Sequence, residues 1–124
     1  MKTFMDILAW QKGYELTLLI YKHTATFPRH EEFGLRSELR RAAVSYISNI
    51  AEGFNKQSLK EALHFYNRSQ ESLEEMKCQT MLCHDLKYLD REKFKTISQL
   101  SDECGKLING WIKSQRYLLT TAVR

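Results

Sequence analysis

The chain has 124 residues, of which 43% are hydrophobic and 27% charged, and its formal net charge is +4 at neutral pH. These values are typical of a single globular domain, residues 1–124, that forms its core without metals or disulfides. They exclude a membrane-spanning protein, because no apolar run approaches the ~18–20 residues that cross a bilayer. The three cysteines are an odd number without Cys-x-x-Cys spacing, which argues against a disulfide framework. The first six residues lack the apolar core of a signal peptide, so we expect a cytoplasmic protein with reduced thiols.

The first predicted helix runs from about Asp6 to Thr26, and Thr3 with Asp6 is expected to cap its start. Apolar residues at helical spacing predict its buried stripe, which consists of Ile7, Trp10, Tyr14, Leu18, Tyr21 and Ala25. Phe27-Pro28 ends the helix, because proline disfavours the α conformation in the residue before it.

The second predicted helix, Leu35 to about Phe54, is small or apolar on almost every face. A helix without a charged side is normally buried on more than one side. In so short a chain, we expect another subunit to cover the second side. The predicted subunit-interface residues are Ala43, Ser48, Asn49, Ala51 and Glu52. Among them, Ser48, Asn49 and Glu52 are expected to form a buried hydrogen-bonded network that fixes the register of the subunits.

The third predicted helix opens with Ser58-Leu59-Lys60-Glu61, which has the pattern of a capping box. Its buried stripe is predicted to contain Leu59, Ala62, Tyr66, Ser69, Leu73, Met76, Thr80 and Cys83. The fourth helix is expected to start at an Asp90 cap, with Leu89 and Phe94 as a hydrophobic staple. Its predicted stripe contains Phe94, Ile97, Ser101, Cys104, Ile108, Trp111, Gln115 and Leu118. Gly105 and Gly110 lie inside this helix at a cost of ~1 kcal/mol each, which the close approach of another helix would explain.

Four long helical patterns joined by short breaks predict an all-α fold. Short connections make sequential helices antiparallel neighbours, so we expect an antiparallel up-down-up-down four-helix bundle.

Two groups of basic residues are candidates for binding. Arg36, Arg40 and Arg41 lie in the first half of the second helix, where the helix dipole favours acids, and Glu38 is expected to face elsewhere. Acids of another subunit, or else phosphates, are expected to offset these arginines. In the predicted bundle, one end collects Lys2, Lys56, Lys60, Lys113, Arg116 and Arg124. This basic rim, with Lys56, Lys60, Lys113 and Arg116 as its main residues and Arg40 and Arg41 as the alternative surface, is the predicted nucleic-acid-binding site.

The sequence contains no recognisable pattern for catalysis or cofactor binding. The four histidines lack metal-ligand spacing, the five glycines form no phosphate loop, and no serine lies in a nucleophile elbow. We therefore predict no catalytic residue, no metal, no cofactor and no small-molecule substrate, and hence a protein that is not an enzyme.

A resemblance to a known family is carried by the second helix, which contains Arg40-Arg41-Ala42-Ala43-Val44-Ser45 and Ser48-Asn49-Ile50-Ala51-Glu52-Gly53-Phe54. These segments are similar to the signature of the 23S rRNA intervening-sequence proteins, which are bacterial four-helix-bundle proteins. The resemblance extends to Trp10-Gln11-Lys12, Phe27-Pro28, Phe33-Gly34-Leu35 and Ser72-Leu73-Glu74-Glu75, and so covers nearly the whole chain. Tyr46-Ile47 stand where the family usually has Ile-Pro, and Ile47 keeps the backbone N–H that proline lacks.

The resemblance implies a homopentamer, since the chain also resembles the pentameric accessory proteins of diversity-generating retroelements. The family has no settled biochemical activity, although its members are encoded within 23S rRNA intervening sequences or near mobile elements. We therefore expect a non-enzymatic homo-oligomer that binds RNA or DNA through the basic rim. The alternative is a structural or protein-interaction module whose positive charge is incidental.

Overall fold

The computed structural model describes residues 1–122, which fold into helices joined by short turns. This part of the chain contains four α-helices and no strand: α1 (Leu8–Thr24), α2 (Leu35–Phe54), α3 (Leu59–Asp85) and α4 (Arg91–Ala122). Short 3-10 turns, Phe4–Asp6 and Arg29–Glu31, precede α1 and α2. The predicted all-α class with four helices is confirmed. None of the described helices has both the length and the apolar composition that a membrane crossing requires.

The cap predicted for the first helix is present, but it closes the 3-10 turn before α1. The Thr3 hydroxyl accepts from the Met5 backbone N–H at 3.1 Å, and the Asp6 carboxylate accepts from the Thr3 N–H at 3.0 Å. These backbone donors lower the pKa of Asp6, because they stabilise its charged form. The helix itself starts at Leu8, after a non-helical Ile7.

Single side-chain caps start the last two helices. Ser58 Oγ accepts from the Glu61 N–H at 3.1 Å, and Asp90 Oδ1 accepts from the Lys93 N–H at 2.8 Å. Within residues 1–122 the Glu61 carboxylate makes no return bond, so the predicted capping box is reduced to a serine cap. Lys87 has a left-handed φ of 67°, which ends α3 by turning the chain back towards α4.

The buried faces of α3 and α4 follow the predicted spacing. In α3 the buried residues are Ala62, Leu63, Tyr66, Ser69, Leu73, Met76, Thr80 and Cys83. In α4 they include Ile97, Ser101, Cys104, Ile108 and Ile112. The large departures are Leu118 at the end of α4 and, beside the main α3 stripe, Leu82 and Leu86, which helical spacing also placed on the buried side and which are exposed.

The buried face of α1 is not the predicted one. Its buried residues are Ala9, Gly13, Leu16, Thr17, Ile20 and Thr24, whereas Tyr14, Leu18 and Tyr21 are exposed. The prediction followed the largest apolar residues, but the smaller ones allow α1 to approach α2 closely. A methyl group added at Gly13 would clash with Cε2 of the Tyr46 ring of α2 and lie 2.6 Å from its Cδ2.

Contacts between helices join definite pairs of residues. Between α1 and α2, the Thr17 hydroxyl meets the Ala43 carbonyl, and Arg40 Nε donates to the Thr24 hydroxyl at 2.8 Å. Between α2 and α3, the Ser69 hydroxyl donates to the Tyr46 carbonyl at 2.8 Å, and Ser45 bonds Ser72 at 2.8 Å.

The α3–α4 and α1–α4 contacts complete the packing of the four helices. Tyr66 and Trp111 pack with ring centroids 5.8 Å apart, and Lys77 pairs with Asp102 at 3.5 Å. Lys12 of α1 pairs with Glu103 of α4 at 3.5 Å. Each helix therefore packs against two others, which places α2 between α1 and α3.

The two glycines inside α4 differ in their surroundings. Gly105 lies near Leu73 and Lys77 of α3, whereas a methyl group added at Gly110 would have no atom within 4 Å. The expected close approach of a helix is therefore wrong for Gly110 among the described residues, because the space beside it is open.

Candidate nucleic-acid interface

Those residues of the predicted basic rim that the structure describes are exposed, and its main residues lie in different places. Lys56 lines a hollow of about 290 Å³ between the end of α2 and α4, together with Met1, Trp111 and Gln115. Lys113 and Arg116 line a separate groove between α3 and α4. Lys60 lies in the first turn of α3, and Arg124 lies outside the described residues.

Lys56 lies on an aromatic ring that a second cation also approaches. Its ammonium is 4.6 Å from the centre of the Phe65 ring, and the Arg68 guanidinium is 5.4 Å from it on α3. Cation–π contacts at exposed sites contribute about 0.5–1 kcal/mol, so they orient Lys56 without removing it from solvent. Arg68 was missed by the sequence analysis, although its position three residues after Phe65 is a helical contact spacing.

The groove that contains Lys113 and Arg116 has a volume of about 520 Å³. Its other exposed members are Lys106, Asn109 and Gly110 of α4, and Gln70 of α3 reaches it from the opposite wall. Gln70 Nε2 donates a hydrogen bond to Asn109 Oδ1 across the groove. Lys106 was also missed as a site residue, although it lies seven residues before Lys113 and so on the same face of α4.

The arginines of α2 find partners within the chain, which corrects the expectation that another subunit or phosphates must supply them. Arg41 pairs with Glu38 at 2.6 Å, and Arg36 with Glu32 at 3.7 Å. The prediction that Glu38 faces elsewhere overlooked its three-residue spacing from Arg41.

Arg40 is held by α1. Its Nη2 donates to the Tyr21 carbonyl at 3.1 Å, and its guanidinium carbon lies 4.5 Å from the centre of the Tyr21 ring. With its bond to Thr24, this side chain is largely used for packing. Arg40 and Arg41 are therefore weaker candidates for phosphate contact than the residues of the basic rim.

The predicted interface residues of α2 separate into two groups. Ala43 is completely buried inside the subunit, where α1 covers it, and this corrects its assignment to a subunit interface. Ser48 and Glu52 are exposed, and Ala51 is half-buried, so these three remain on the outward side of α2.

The predicted network of Ser48, Asn49 and Glu52 is wrong among the described residues. The Asn49 amide instead donates to the Ser45 carbonyl at 2.8 Å and to the Ser45 hydroxyl at 3.1 Å. Ser45 in turn bonds Ser72, so the polar network joins α2 to α3 inside one subunit.

The buried thiols have the properties of core residues. Burial raises the pKa of Cys83 to about 11 and that of Cys104 to about 12, so both stay protonated at neutral pH. Since the thiolate is the reactive form, neither is an activated nucleophile. Within residues 1–122, no three histidine, cysteine or acidic side chains are grouped so that they can hold a metal ion.

Comparisons with known proteins agree with this architecture. No curated protein matches the chain. The structure is similar to the crystal structure of a protein of unknown function from the S23 ribosomal protein family of Bacteroides thetaiotaomicron, with a TM-score of 0.77 and 25% sequence identity. The similarity covers 86% of this chain and 99% of that one. A family model for the 23S rRNA-intervening sequence proteins matches residues 5–110, and the chain therefore belongs to that family.

Proposed function

We propose that this protein is a non-enzymatic homo-oligomer that binds RNA or other nucleic acid through its basic rim. The observation that carries this proposal is the contrast between two sets of cations. Lys56, Lys60, Lys113 and Arg116 are exposed and have no carboxylate partner within residues 1–122, whereas Arg36 and Arg41 are paired. Unpaired cations that share one end of a bundle attract phosphates, because binding releases the counterions of the nucleic acid.

The proposal includes an antiparallel up-down-up-down arrangement, which brings the rim together. It is supported by the order of the contacts, since rising residue numbers on one helix meet falling numbers on the next. Tyr66 packs on Trp111, Lys77 on Asp102, and His84 on Phe94. This order puts the end of α2, the start of α3 and the last third of α4 at one end of the bundle.

The homo-oligomer is proposed as a ring of five, and two exposed apolar patches support it. The first, the α1 patch, consists of Leu8, Tyr14, Leu18 and Tyr21. The second, the α3 patch, consists of Met81, Leu82 and Leu86. A cyclic ring needs two different surfaces on each subunit, and apolar patches of this kind mark protein contacts.

Charge complementarity supports pairing of the two patches. Tyr21 shares a hollow with Phe33 and with the arginines of α2, whereas the α3 patch is flanked by the exposed acids Glu74, Glu75 and Asp85. We propose that Ser48, Ala51 and Glu52 lie at the edge of the same contact. Five copies of +4 then carry a net charge of +20, and the basic rim is repeated around one side of the ring.

Binding of a fluorescein-labelled RNA duplex, followed by anisotropy, tests the nucleic-acid proposal. We expect binding at roughly 50 mM salt that weakens steeply towards 200 mM, with little dependence on sequence. Lys56→Glu/Lys60→Glu should weaken binding several-fold, whereas Arg91→Glu/Lys95→Glu, which makes the same change in charge at exposed positions outside the rim and both patches, should weaken it less. Absence of RNA and DNA binding by the wild type at low salt would overturn the proposal.

The second candidate is a structural or protein-interaction module, and Phe33 favours it. This side chain is 91% exposed in the described chain and shares a hollow with Tyr21 and Val44, and grouped exposed apolar residues mark protein contacts. Capture of a partner protein with no binding of nucleic acid would support this candidate. A bacterial cytoplasmic location is part of both proposals and is supported by the free thiols of Cys78, Cys83 and Cys104.

A further inference from the structure

The groove between α3 and α4 differs from the rest of the surface in its mixture of cations, amides and an exposed glycine. We propose that it is a phosphate-binding site for the backbone of a nucleic-acid strand, formed by Lys106, Lys113, Arg116, Gln70 and Asn109 around Gly110. This inference rests on the proposed function and extends it: within the basic rim, the groove that contains Lys113 and Arg116 is the main point of contact, and Lys56 and Lys60 add to it.

The charges of the groove suit a phosphodiester. Lys106, Lys113 and Arg116 are all exposed, and none pairs with a carboxylate in residues 1–122. They are spread over ten residues of α4, which is about 15 Å along the helix. Such a row of cations follows a chain of phosphates better than it surrounds one small anion.

The amides supply directed donors between these cations. Asn109 Oδ1 accepts from Gln70, so its Nδ2 keeps two N–H groups that no acceptor occupies among the described residues. Amide N–H groups and basic side chains are the donors that proteins commonly direct at phosphate oxygens.

Gly110 is the independent observation that points to a ligand. Glycine inside a helix costs ~1 kcal/mol relative to alanine. No described residue requires Gly110 to lack a methyl group, because no atom would lie within 4 Å of an added Cβ. A ligand that approaches the helix backbone would need that space. The neighbouring lysines and amides favour a phosphate over an apolar helix, because Ile112 is the only apolar residue of the groove wall in residues 1–122 and is itself buried.

The groove also has a boundary that limits where the strand lies. Beyond Gln70 and Asn109 it continues into a hollow lined by Glu71, Glu74 and Asp102, and Lys106 lies between the two. Lys77 pairs with Glu74 and Asp102 there, so among the described residues this hollow offers no unpaired cation beyond Lys106, and we expect the strand to lie along Lys106, Lys113 and Arg116.

The test uses the full-length protein and a fluorescein-labelled single-stranded oligonucleotide, with inorganic polyphosphate as competitor. Lys113→Glu/Arg116→Glu should weaken binding about ten-fold or more and reduce the slope of log K against log salt by about 2. Its matched control, Arg91→Glu/Lys95→Glu, removes one arginine and one lysine from an exposed face at the start of the same helix. This control should change binding less than two-fold, roughly, because charges distant from the site are screened.

Gly110→Leu gives a readout that does not depend on charge. It should weaken oligonucleotide binding while leaving the thermal unfolding midpoint equal to or above that of the wild type, because leucine is a better helix former. Gln99→Leu, an exposed position on α4 outside the groove, is its control and should bind like the wild type.

The outcomes separate the groove from the proposed function. Loss of binding in both groove variants, with competition by polyphosphate, supports the site. If both groove variants bind the oligonucleotide as well as the wild type does, or if Gly110→Leu alters only the oligomeric state, the groove is not the binding site, whereas the proposed function stands. Absence of wild-type binding to any oligonucleotide overturns the proposed function and the groove with it.

Discussion

Gly13 and Tyr46 illustrate how one small residue determines the position of a large one. The Tyr46 ring lies over Gly13, and its hydroxyl donates to the Ala9 carbonyl at 3.0 Å and also approaches the Cys104 carbonyl at 3.4 Å. One side chain of α2 is thereby connected to both α1 and α4. Burial raises the pKa of the Tyr46 phenol, so the hydroxyl remains a neutral donor at physiological pH.

Replacing Gly13 with alanine should therefore destabilise the protein. The added Cβ would lie 2.6 Å from Tyr46 Cδ2 and 2.9 Å from Ile47 Cγ2. Such overpacking costs about 1–3 kcal/mol, which outweighs the ~1 kcal/mol that alanine gains in a helix. Urea denaturation at one fixed protein concentration measures the change. Gly110→Ala is the matched control and should stabilise by about 1 kcal/mol, since its Cβ meets no atom. A Gly13→Ala protein as stable as Gly110→Ala would contradict this account of the contact.

Glu31 has a similar role in the 3-10 turn that precedes α2. Its Oε1 accepts from the Leu35 N–H at 3.0 Å at the start of α2, and its Oε2 accepts from the Tyr88 hydroxyl at 2.9 Å. The backbone bond from Leu35, followed by the Tyr88 bond, lowers the pKa of Glu31 below its ordinary value of 4.5. Ionised Glu31 thus joins the start of α2 to the turn between α3 and α4.

This lowered pKa predicts a pH dependence of stability. Because the folded pKa is lower than the unfolded one, the stabilising contribution is fully present above pH 4.5, roughly, and is lost as the pH falls through the folded pKa. Glu31→Gln removes the charge, so its urea midpoint should be lower than that of the wild type at pH 7 and approach it below about pH 4. Glu32→Gln, which affects only the exposed 3.7 Å pair with Arg36, should change the midpoint little. A Glu31→Gln deficit that stays constant from pH 7 to pH 3 would exclude ionisation as its cause.

Among the helices, α1 shows where the sequence pattern misleads. The helices themselves and the main stripes of α3 and α4 follow from periodicity. In α1, Leu16 and Ile20 are buried beside Ala9 and Gly13, whereas a second apolar stripe of Tyr14, Leu18 and Tyr21 faces outward. Periodicity locates apolar stripes, but it cannot tell a stripe that faces its own core from one that faces a partner.

The sequence also predicted only part of the candidate nucleic-acid interface. Charge and helix order were enough to select Lys113 and Arg116, which the structure places in one groove. Lys106 and Asn109 could have been selected, since they precede Lys113 at helical spacing on one face of α4, whereas Gln70 of α3 reaches the groove only through the register between α3 and α4. Arg40 and Arg41 were over-rated, since local partners at helical spacing and across the α1–α2 contact occupy them.

At the scale of the whole molecule, the α1 patch and the α3 patch determine what kind of assembly can form. A ring with cyclic symmetry above two joins two different surfaces head to tail, whereas a two-fold dimer uses the same surface twice. The patches differ in chemistry, since arginines adjoin the first and acids flank the second. Their proposed pairing between neighbouring subunits therefore predicts a head-to-tail assembly, which is a ring where the rotation between subunits closes.

Mixing two single variants tests this head-to-tail arrangement. Leu18 in the α1 patch and Met81 in the α3 patch are each 60% exposed, so glutamate at either position should leave the subunit folded and break one surface of the contact. Light scattering should show a ring for the wild type and monomers for Leu18→Glu and Met81→Glu separately. A mixture of the two variants should form a one-to-one dimer, because each variant keeps the surface that the other lacks. Leu118→Glu, at an exposed leucine outside both patches, should still form the ring. A monomeric wild type at micromolar concentration, or a mixture that stays monomeric, would show that these two patches do not meet.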